Sequence, residues 1–472
     1  MTAATFSHAL AQHAARQPTK TAVIDAERRL TYGEVDLAVD ELAAGLRSQG
    51  MGPGDAVTSQ LPNCAESLLL CFAVDRLGAV HNPIVPVYRD REVSFIRHQA
   101  ASAVFLERAE DVRALQEAGA RPQPPKVDPR QPHYLLYTSG STADPKGVLH
   151  SDHTLLAECR AQAQFHEMTD AEVFVMPSPV AHISGLLYGV LLPVLLGATS
   201  VLMPDWEPGR FLELVESEKG TFCGGATPFL QGAVEHPDLE RFDVSSLRMF
   251  PCGGADVPPE LIRTATERLD VRTGRGYGST EFPSITSSAG LGESLEKRAE
   301  TDGRPIGDNQ VRVSDDGEIE ARGPELFLGY RDVELDTGSL THDGWFRTGD
   351  LGVLDDQGYL TVTGRLKDIV VRSGEKVSAR EIEDLLHEHP KVRAVAVIAM
   401  PDERTGERAC ACVAARDPAS LPTLEELGEF LLGRGLSKRK LPEQLEIVTE
   451  LPMTASGKVK KHELKAAIEP GP

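Results

Sequence analysis

Residues 134–152, YLLYTSGSTADPKGVLHSD, concentrate the residue types that bind phosphate. A strand-like apolar run ends at Thr138. Ser139, Gly140, Ser141 and Thr142 follow, and Lys146 and Gly147 close the segment. Small hydroxyl residues and glycine let a backbone come close to a polyphosphate. Successive N–H groups and hydroxyls then bond its oxygens while a lysine offsets charge. The plain alternative is a polar surface turn, which the same residue types favour. Hydroxyls this dense, directly after a buried strand, favour the binding role. No G-x-x-x-x-G-K-[ST] is present, so the segment is not a Walker A loop.

TSGSTADPKG resembles the signature loop of the adenylate-forming superfamily: acyl- and aryl-CoA synthetases, luciferases and the adenylation domains of peptide synthetases. The chain is most like an acyl-CoA ligase. Ala143 stands where the family usually carries Gly, and Ala adopts φ > 0 less readily; Lys146 is retained. The other motifs occur in family order. CGGADVPPEL (252–261) is similar to the segment that lines adenine with its backbone, at Gly253, Gly254 and Ala255. For GRGYGSTE (274–281) the resemblance implies nucleotide contacts along Gly276, Tyr277, Gly278 and Ser279. The resemblance implies that Tyr277 stacks on adenine, Thr280 touches the α-phosphate and Glu281 helps hold Mg²⁺. An aromatic face suits a purine, and a carboxylate suits a hard cation. GWFRTGDLG (344–352) resembles the ribose motif, with Asp350 accepting from the 2′- and 3′-hydroxyls. In GRLKDIVVRSGEKVSAREIE (364–383), Arg365 matches a second ribose contact, Lys367 the hinge, Gly374 the pantetheine tunnel and Lys376 a phosphate contact. LPMTASGKVKKHEL (451–464) resembles the motif that carries the catalytic lysine, here Lys458.

The resemblance implies two half-reactions: a carboxylic acid plus ATP gives acyl-AMP and pyrophosphate, and acyl-AMP plus coenzyme A gives acyl-CoA and AMP. It also implies that a small C-terminal domain rotates between them. The acid wall falls at PVAHISGLLYG (179–189) and CGGATPFL (223–230), with His182, Ile183, Gly224, Gly225, Ala226 and Thr227 as candidates. His182 stands where amino-acid-activating relatives place an Asp, and an imidazole cannot pair with a substrate ammonium. With room left by the small residues, a medium-chain, alicyclic or aromatic acid fits this wall. A carrier protein bearing phosphopantetheine is the alternative acceptor. A non-catalytic nucleotide sensor is the alternative of another class, and retention of Glu281, Asp350, Arg365 and Lys458 together argues against it. An exposed lysine near a C-terminus, or an Asp after Gly, is ordinarily unremarkable chemistry; the motifs assign these roles. The basic clusters Lys438–Arg439–Lys440 and Lys460–Lys461 could meet the 3′-phosphate of CoA, although a solvated face is the more ordinary reading.

Elements of two kinds must position these groups. Thr31 and Glu34 form a capping-box signature ahead of a helical run, and a second helical run follows at Ala65–Leu77. VFVMP (173–177), TSVLM (199–203), TFCGG (221–225) and RMFPC (248–252) read as buried strands. This alternation predicts an α/β fold: a large N-terminal domain (1–364) of α/β subdomains with parallel-rich sheets. A small mobile α+β C-terminal domain (365–472) follows, with a helix at Ala379–His387 and strands at Val392–Ala399 and Ala409–Ala415. The family usually carries a longer strand–helix stretch than residues 102–131 allow, which questions the sheet there. At 472 residues the chain exceeds one ordinary core. A net charge of −22 opposes nucleic-acid binding. The seven cysteines lack C-x-x-C spacing and read as reduced, buried thiols in a cytoplasmic protein. The expected partners are a small acid and CoA or a carrier protein, with no nucleic acid and no membrane span.

Overall fold

The structure is a computed structural model that describes residues 4–117, 127–138, 145–372, 375–402, 404–453 and 459–468, with backbone alone at 375 and 376. Two compact units emerge: residues 1–310 with 321–346, and residues 311–320 with 347–472.

The first unit is built on the capping and burial patterns of its helices. Thr31 Oγ1 accepts from Glu34 N and the Glu34 carboxylate accepts from Thr31 N, so the helix Tyr32–Ser48 starts on a complete capping box. Val35, Val39, Leu42 and Leu46 bury one face of that helix. The helix Ala65–Arg76 is buried on every side, as its all-round apolar sequence requires. Its terminal Arg76 is neutralised by Asp36 and Asp40, each at 2.6 Å. The N-terminal helix Phe6–Arg16 docks its first turn on buried carboxylates: Phe6 N donates to Asp152 at 3.3 Å and Ser7 N to Asp75 at 2.6 Å. These carboxyl oxygens satisfy N–H groups that the first turn of a helix leaves unpaired.

A six-stranded sheet runs in the order Gly329–Tyr330, Lys146–His150, Tyr134–Thr138, Val80–Pro83, Ala56–Ser59, Val104–Leu106. Its inner and far strands are parallel, while Lys146–His150 is antiparallel to both neighbours. Val104–Leu106 occupies the edge and the helix Ala109–Glu117 follows it. The shortened stretch therefore still supplies a strand and a helix. A second sheet, Arg29–Thr31, Thr21–Ile24, Thr199–Leu202, Val173–Met176, continues through single parallel bridges Phe174–Phe222–Met249–Arg272. The last strands, Cys252–Gly253, Arg275–Tyr277, Thr286–Ser287 and Arg304–Pro305, extend the same succession.

In the second unit the strands Phe346–Leu354 and Leu360–Arg365 pair antiparallel. A further sheet is ordered Glu375–Ser378, Ile369–Arg372, Gly406–Ala415, Val392–Asp402, with Gln444–Val448 parallel to Gly406–Ala415. Val370, Ile382, Leu386, Val397, Val413 and Leu427 form the core between this sheet and the helices Ala379–His387 and Leu424–Gly433. The seven cysteines are unpaired, six of them buried and Cys64 partly so. Among the described residues no helix is long and apolar enough to cross a membrane.

Candidate active site

Thr138 and Lys146 face each other across the antiparallel pair. Ser139, Gly140, Ser141 and Thr142, like Ala143, lie outside the described residues. Lys146 opens its strand and directs Nζ over the Tyr330 ring, 5.6 Å from the centroid. The strand Gly329–Tyr330 pairs with this same strand, Tyr330 opposite Val148. The Tyr330 hydroxyl donates to Glu281 Oε1 at 2.8 Å. Burial and the Glu281 carboxylate push the Tyr330 hydroxyl far above the ordinary tyrosine value, so it remains a donor. Phe327 N donates to the Glu281 carbonyl at 2.9 Å. The segment 327–331 thereby fixes Glu281 by backbone and side chain and holds it near Lys146.

The turn carrying Glu281 is braced from its own side. Ser279 N donates to the Phe282 carbonyl and Phe282 N to Ser279 Oγ. Arg275, at the start of the strand Arg275–Tyr277, is buried and forks onto Asp302, with Nε to Oδ1 and Nη2 to Oδ2 both 3.1 Å. A paired, hydrogen-bonded charge is the form in which a buried arginine is tolerated. Tyr277 remains half-buried and Thr280 is nearly closed off.

Gly253 pairs with Gly276 between the strands Cys252–Gly253 and Arg275–Tyr277. A Cβ on Gly253 would come closer than 3.0 Å to the Gly276 carbonyl, and one on Gly278 equally close to the Pro283 carbonyl. Gly254 takes φ +77° with open space beside it. The backbone here is a bare platform with the aromatic Tyr277 at its end, which fits a nucleotide base lying against peptide planes. The donor set also fits a divalent cation. Glu281 offers hard carboxylate oxygens held in place by a neutral phenol.

The acid-wall candidates cluster as well. His182 caps the helix Ile183–Leu186, with Nδ1 accepting from Ser184 N at 3.4 Å and lying 3.0 Å from Ser184 Oγ. A π-helical turn, Leu187–Leu191, follows and displaces Tyr188 from regular helical register. Gly225 bridges Cys252 in parallel, which sets the wall beside the platform. Aromatic side chains pack against two of the glycines. A Cβ on Gly224 would meet Phe222 and Tyr188, and one on Gly225 would meet Phe229. Ala226 caps the helix Thr227–Val234, and the Thr227 hydroxyl donates to the Asp256 carbonyl at 2.6 Å. Behind the wall the Tyr188 hydroxyl lies 3.3 Å from Ser284 Oγ, which donates to Glu158 at 2.7 Å. Asn309 donates to Glu325 at 2.9 Å. Burial, with Glu158 beside it, drives the Glu325 carboxyl well above the usual carboxylate range.

In the second unit Asp350 and Arg365 are cross-strand neighbours, Nε to Oδ1 3.0 Å. Lys367 sits in the 3₁₀ turn Leu366–Asp368. Lys376 lies in the strand Glu375–Ser378, opposite Val371. Gly374 and Lys458 lie outside the described residues. Lys440 pairs with Glu381, Lys460 with Glu463 and Lys461 with Glu383. Three of the lysines considered for the CoA phosphate thus already have carboxylate partners.

Sequence reasoning missed Tyr330, Phe327 and the Glu158–Glu325 pair. GPELFLGY (323–330) carries no cluster of hydroxyls or charges, and a tyrosine ending a short strand reads as ordinary core.

A backbone platform and a clamped carboxylate suit a nucleotide-activating enzyme. The AMP-binding enzyme family model matches residues 10–331 and that of the AMP-binding enzyme C-terminal domain matches residues 381–458. The chain belongs to this adenylate-forming family, and its fold is the family's α/β arrangement of a large N-terminal and a small C-terminal domain. It is 33% identical to the medium-chain fatty-acid–CoA ligase of Escherichia coli K12, over 97% of this chain and 89% of that one. It is 32% identical to the indoleacetate–CoA ligase of Aromatoleum aromaticum, over 97% of each. The structure of an anthranilate CoA ligase in complex with anthranoyl-AMP matches with a TM-score of 0.89 at 22% identity, over 98% of this chain and 97% of that one.

Proposed function

We propose that this chain is an ATP-dependent, AMP-forming carboxylate–CoA ligase. The observation that carries the reading is the meeting of Lys146, Glu281 and Tyr330, from three remote stretches of sequence, in the unit that holds the Gly253–Gly276 platform. In the first half-reaction the acid carboxylate attacks the α-phosphorus of ATP and pyrophosphate leaves. In the second the CoA thiol attacks the acyl carbon, its proton departs and AMP leaves. Carboxylate and triphosphate repel each other, so charge neutralisation and alignment supply much of the rate. Lys146 offsets phosphate charge, residues 138–142 bond the phosphate oxygens, and Thr280 orients the α-phosphate. Glu281 would hold Mg²⁺, which when bound would neutralise phosphate charge. Tyr277 and the backbone of 253–255 bind adenine, and Asp350 with Arg365 binds ribose. Lys458 supplies the cation of adenylation, and Lys376 with Gly374 serves the thiol step. We assign residues 1–364 and 365–472 as the functional domains, with the hinge near Lys367, and the cytoplasm as the compartment.

The aromatic filling behind Gly224 and Gly225 favours a compact apolar acid, medium-chain, alicyclic or aromatic. The relatives named for medium-chain fatty acids and indoleacetate support the same range. The test is ATP–pyrophosphate exchange across a panel of such acids, followed by acyl transfer to CoA or to a phosphopantetheinyl carrier protein. Exchange with no acid would refute the reading, and transfer to the carrier alone would move the acceptor. Lys458→Ala should cost adenylation about 3–4 kcal/mol of transition-state stabilisation, by analogy with oxyanion donors, and spare thiol transfer from pre-formed acyl-AMP. Gly374→Leu should show the opposite bias. Equal damage to both half-reactions would show that the division of labour is wrong.

A further inference from the structure

His150 ends the strand that Lys146 begins, and its side chain is wholly buried. Its Nε2 lies 2.8 Å from the Thr280 carbonyl, and its Nδ1 lies 2.9 Å from Thr154 Oγ1. A carbonyl only accepts, so Nε2 carries the proton and donates. The Nδ1 lone pair faces the Thr154 hydroxyl, whose single proton it shares with the Ser151 carbonyl 3.0 Å away. Thr154 is in turn fixed by the capping box with Ser151 at the start of the helix Asp152–Phe165. Burial pushes the imidazole down to about 4, so the ring is neutral and this tautomer persists at neutral pH.

The Thr280 carbonyl and the Glu281 N–H belong to one planar trans peptide and point in opposite directions. Holding the carbonyl toward His150 turns the Glu281 N–H away from it. Phe327 N fixes the next carbonyl and Tyr330 fixes the Glu281 side chain. The Ser279–Phe282 bonds close the turn around the 280–281 peptide, and the histidine bonds that peptide's own carbonyl. A one-residue rotation there would move the Thr280 hydroxyl, the Glu281 N–H and the Glu281 carboxylate together.

We propose that His150 is a positioning residue for acyl-adenylate formation, setting the plane of the Thr280–Glu281 peptide through its Nε2–H bond to the Thr280 carbonyl. This rests on the ligase reading above. It predicts an effect confined to the half-reaction in which the triphosphate is present. Thiol attack on a pre-formed adenylate does not require the α-phosphate to be re-oriented.

The experiment compares the full-length wild type with His150→Phe, His150→Gln and Thr154→Val. Single-turnover pyrophosphate release is measured with the best acid of the panel, and separately thioester formation from synthetic acyl-AMP and CoA. Thermal unfolding accompanies both. His150→Phe should slow pyrophosphate release by about 10- to 100-fold, the range expected for losing one buried hydrogen bond and leaving a carbonyl unpaired, and change thioester formation less than about threefold. His150→Gln, whose amide can still donate to the carbonyl, should recover most of the rate. Thr154→Val should show the same bias more weakly, and it keeps the question open to test should the Phe variant fold poorly. Equal slowing of both half-reactions, no slowing, or a Gln variant as slow as Phe would overturn the proposal. A wild type that exchanges pyrophosphate with no acid overturns the ligase reading itself, and the inference with it.

Discussion

Tyr330→Phe isolates one hydrogen bond at the centre of the site. The ring stays, so the buried volume stays filled and Lys146 keeps an aromatic face at 5.6 Å. What disappears is the donor to Glu281 Oε1 at 2.8 Å. A hydrogen bond to a charged group contributes about 1.5–3 kcal/mol. If Glu281 must be fixed before the α-phosphate can react, most of that appears in the transition state, where about 1.4 kcal/mol is tenfold in rate. The expectation is a fall of about 10- to 150-fold in ATP–pyrophosphate exchange at limiting Mg²⁺. Saturating Mg²⁺ should recover part of the loss, because a bound cation would itself hold the carboxylate. The wild-type effect should not titrate away below pH 10, since burial and the Glu281 carboxylate raise the hydroxyl above its ordinary value. The assay is exchange against Mg²⁺ concentration and pH, with thermal melting to confirm equal folding. A Phe variant within twofold of wild type at every Mg²⁺ concentration would refute the clamp.

Gly253→Ala should lose both stability and activity, because its Cβ would enter the Gly276 carbonyl. Gly254→Ala has open space and should cost only about 1–2 kcal/mol for its left-handed φ, as read by urea unfolding; equal costs would contradict the platform. Asp302→Ala should destabilise by about 3–5 kcal/mol because it strands the buried Arg275 charge. Asp302→Ala combined with Arg275→Met should be less harmful than the single change, and a double variant worse than the single would refute this account. His150 is held at about 4, below its unfolded value of about 6.5. Between those limits the unfolded chain binds the extra proton, so this group's contribution is present above about pH 6.5 and is lost as pH falls toward 4. Measured by urea unfolding, the stability difference between wild type and His150→Gln should shift toward the variant over that window, by up to roughly 3 kcal/mol. A difference independent of pH would show that the imidazole is not held neutral.

Local rules carried much of the fold. The Thr31–Glu34 capping box, the helix Ala379–His387 and the strands at 173–176 and 199–202 were legible because caps and apolar periodicity act over a few residues. TFCGG and RMFPC read as strands yet form mainly single bridges, Phe222–Met249 and Gly225–Cys252. Glycine and proline cut those ladders short, which an apolar run does not reveal. The bond between Glu281 and Tyr330 was not legible, because it joins residues far apart in sequence. The packing around the acid-wall glycines was not legible for a physical reason. A small residue makes room only if no neighbour claims it, and Tyr188, Phe222 and Phe229 do.

The strand Lys146–His150 is flanked on one side by Tyr134–Thr138 and on the other by Gly329–Tyr330, which arrives far later along the chain. While the ribosome is still making residues short of 329, the outer rim of that hairpin has unsatisfied peptide groups, an invitation to intermolecular strand addition. Premature stops or proteolytic fragments ending before this point should therefore be insoluble even when they contain the hairpin whole.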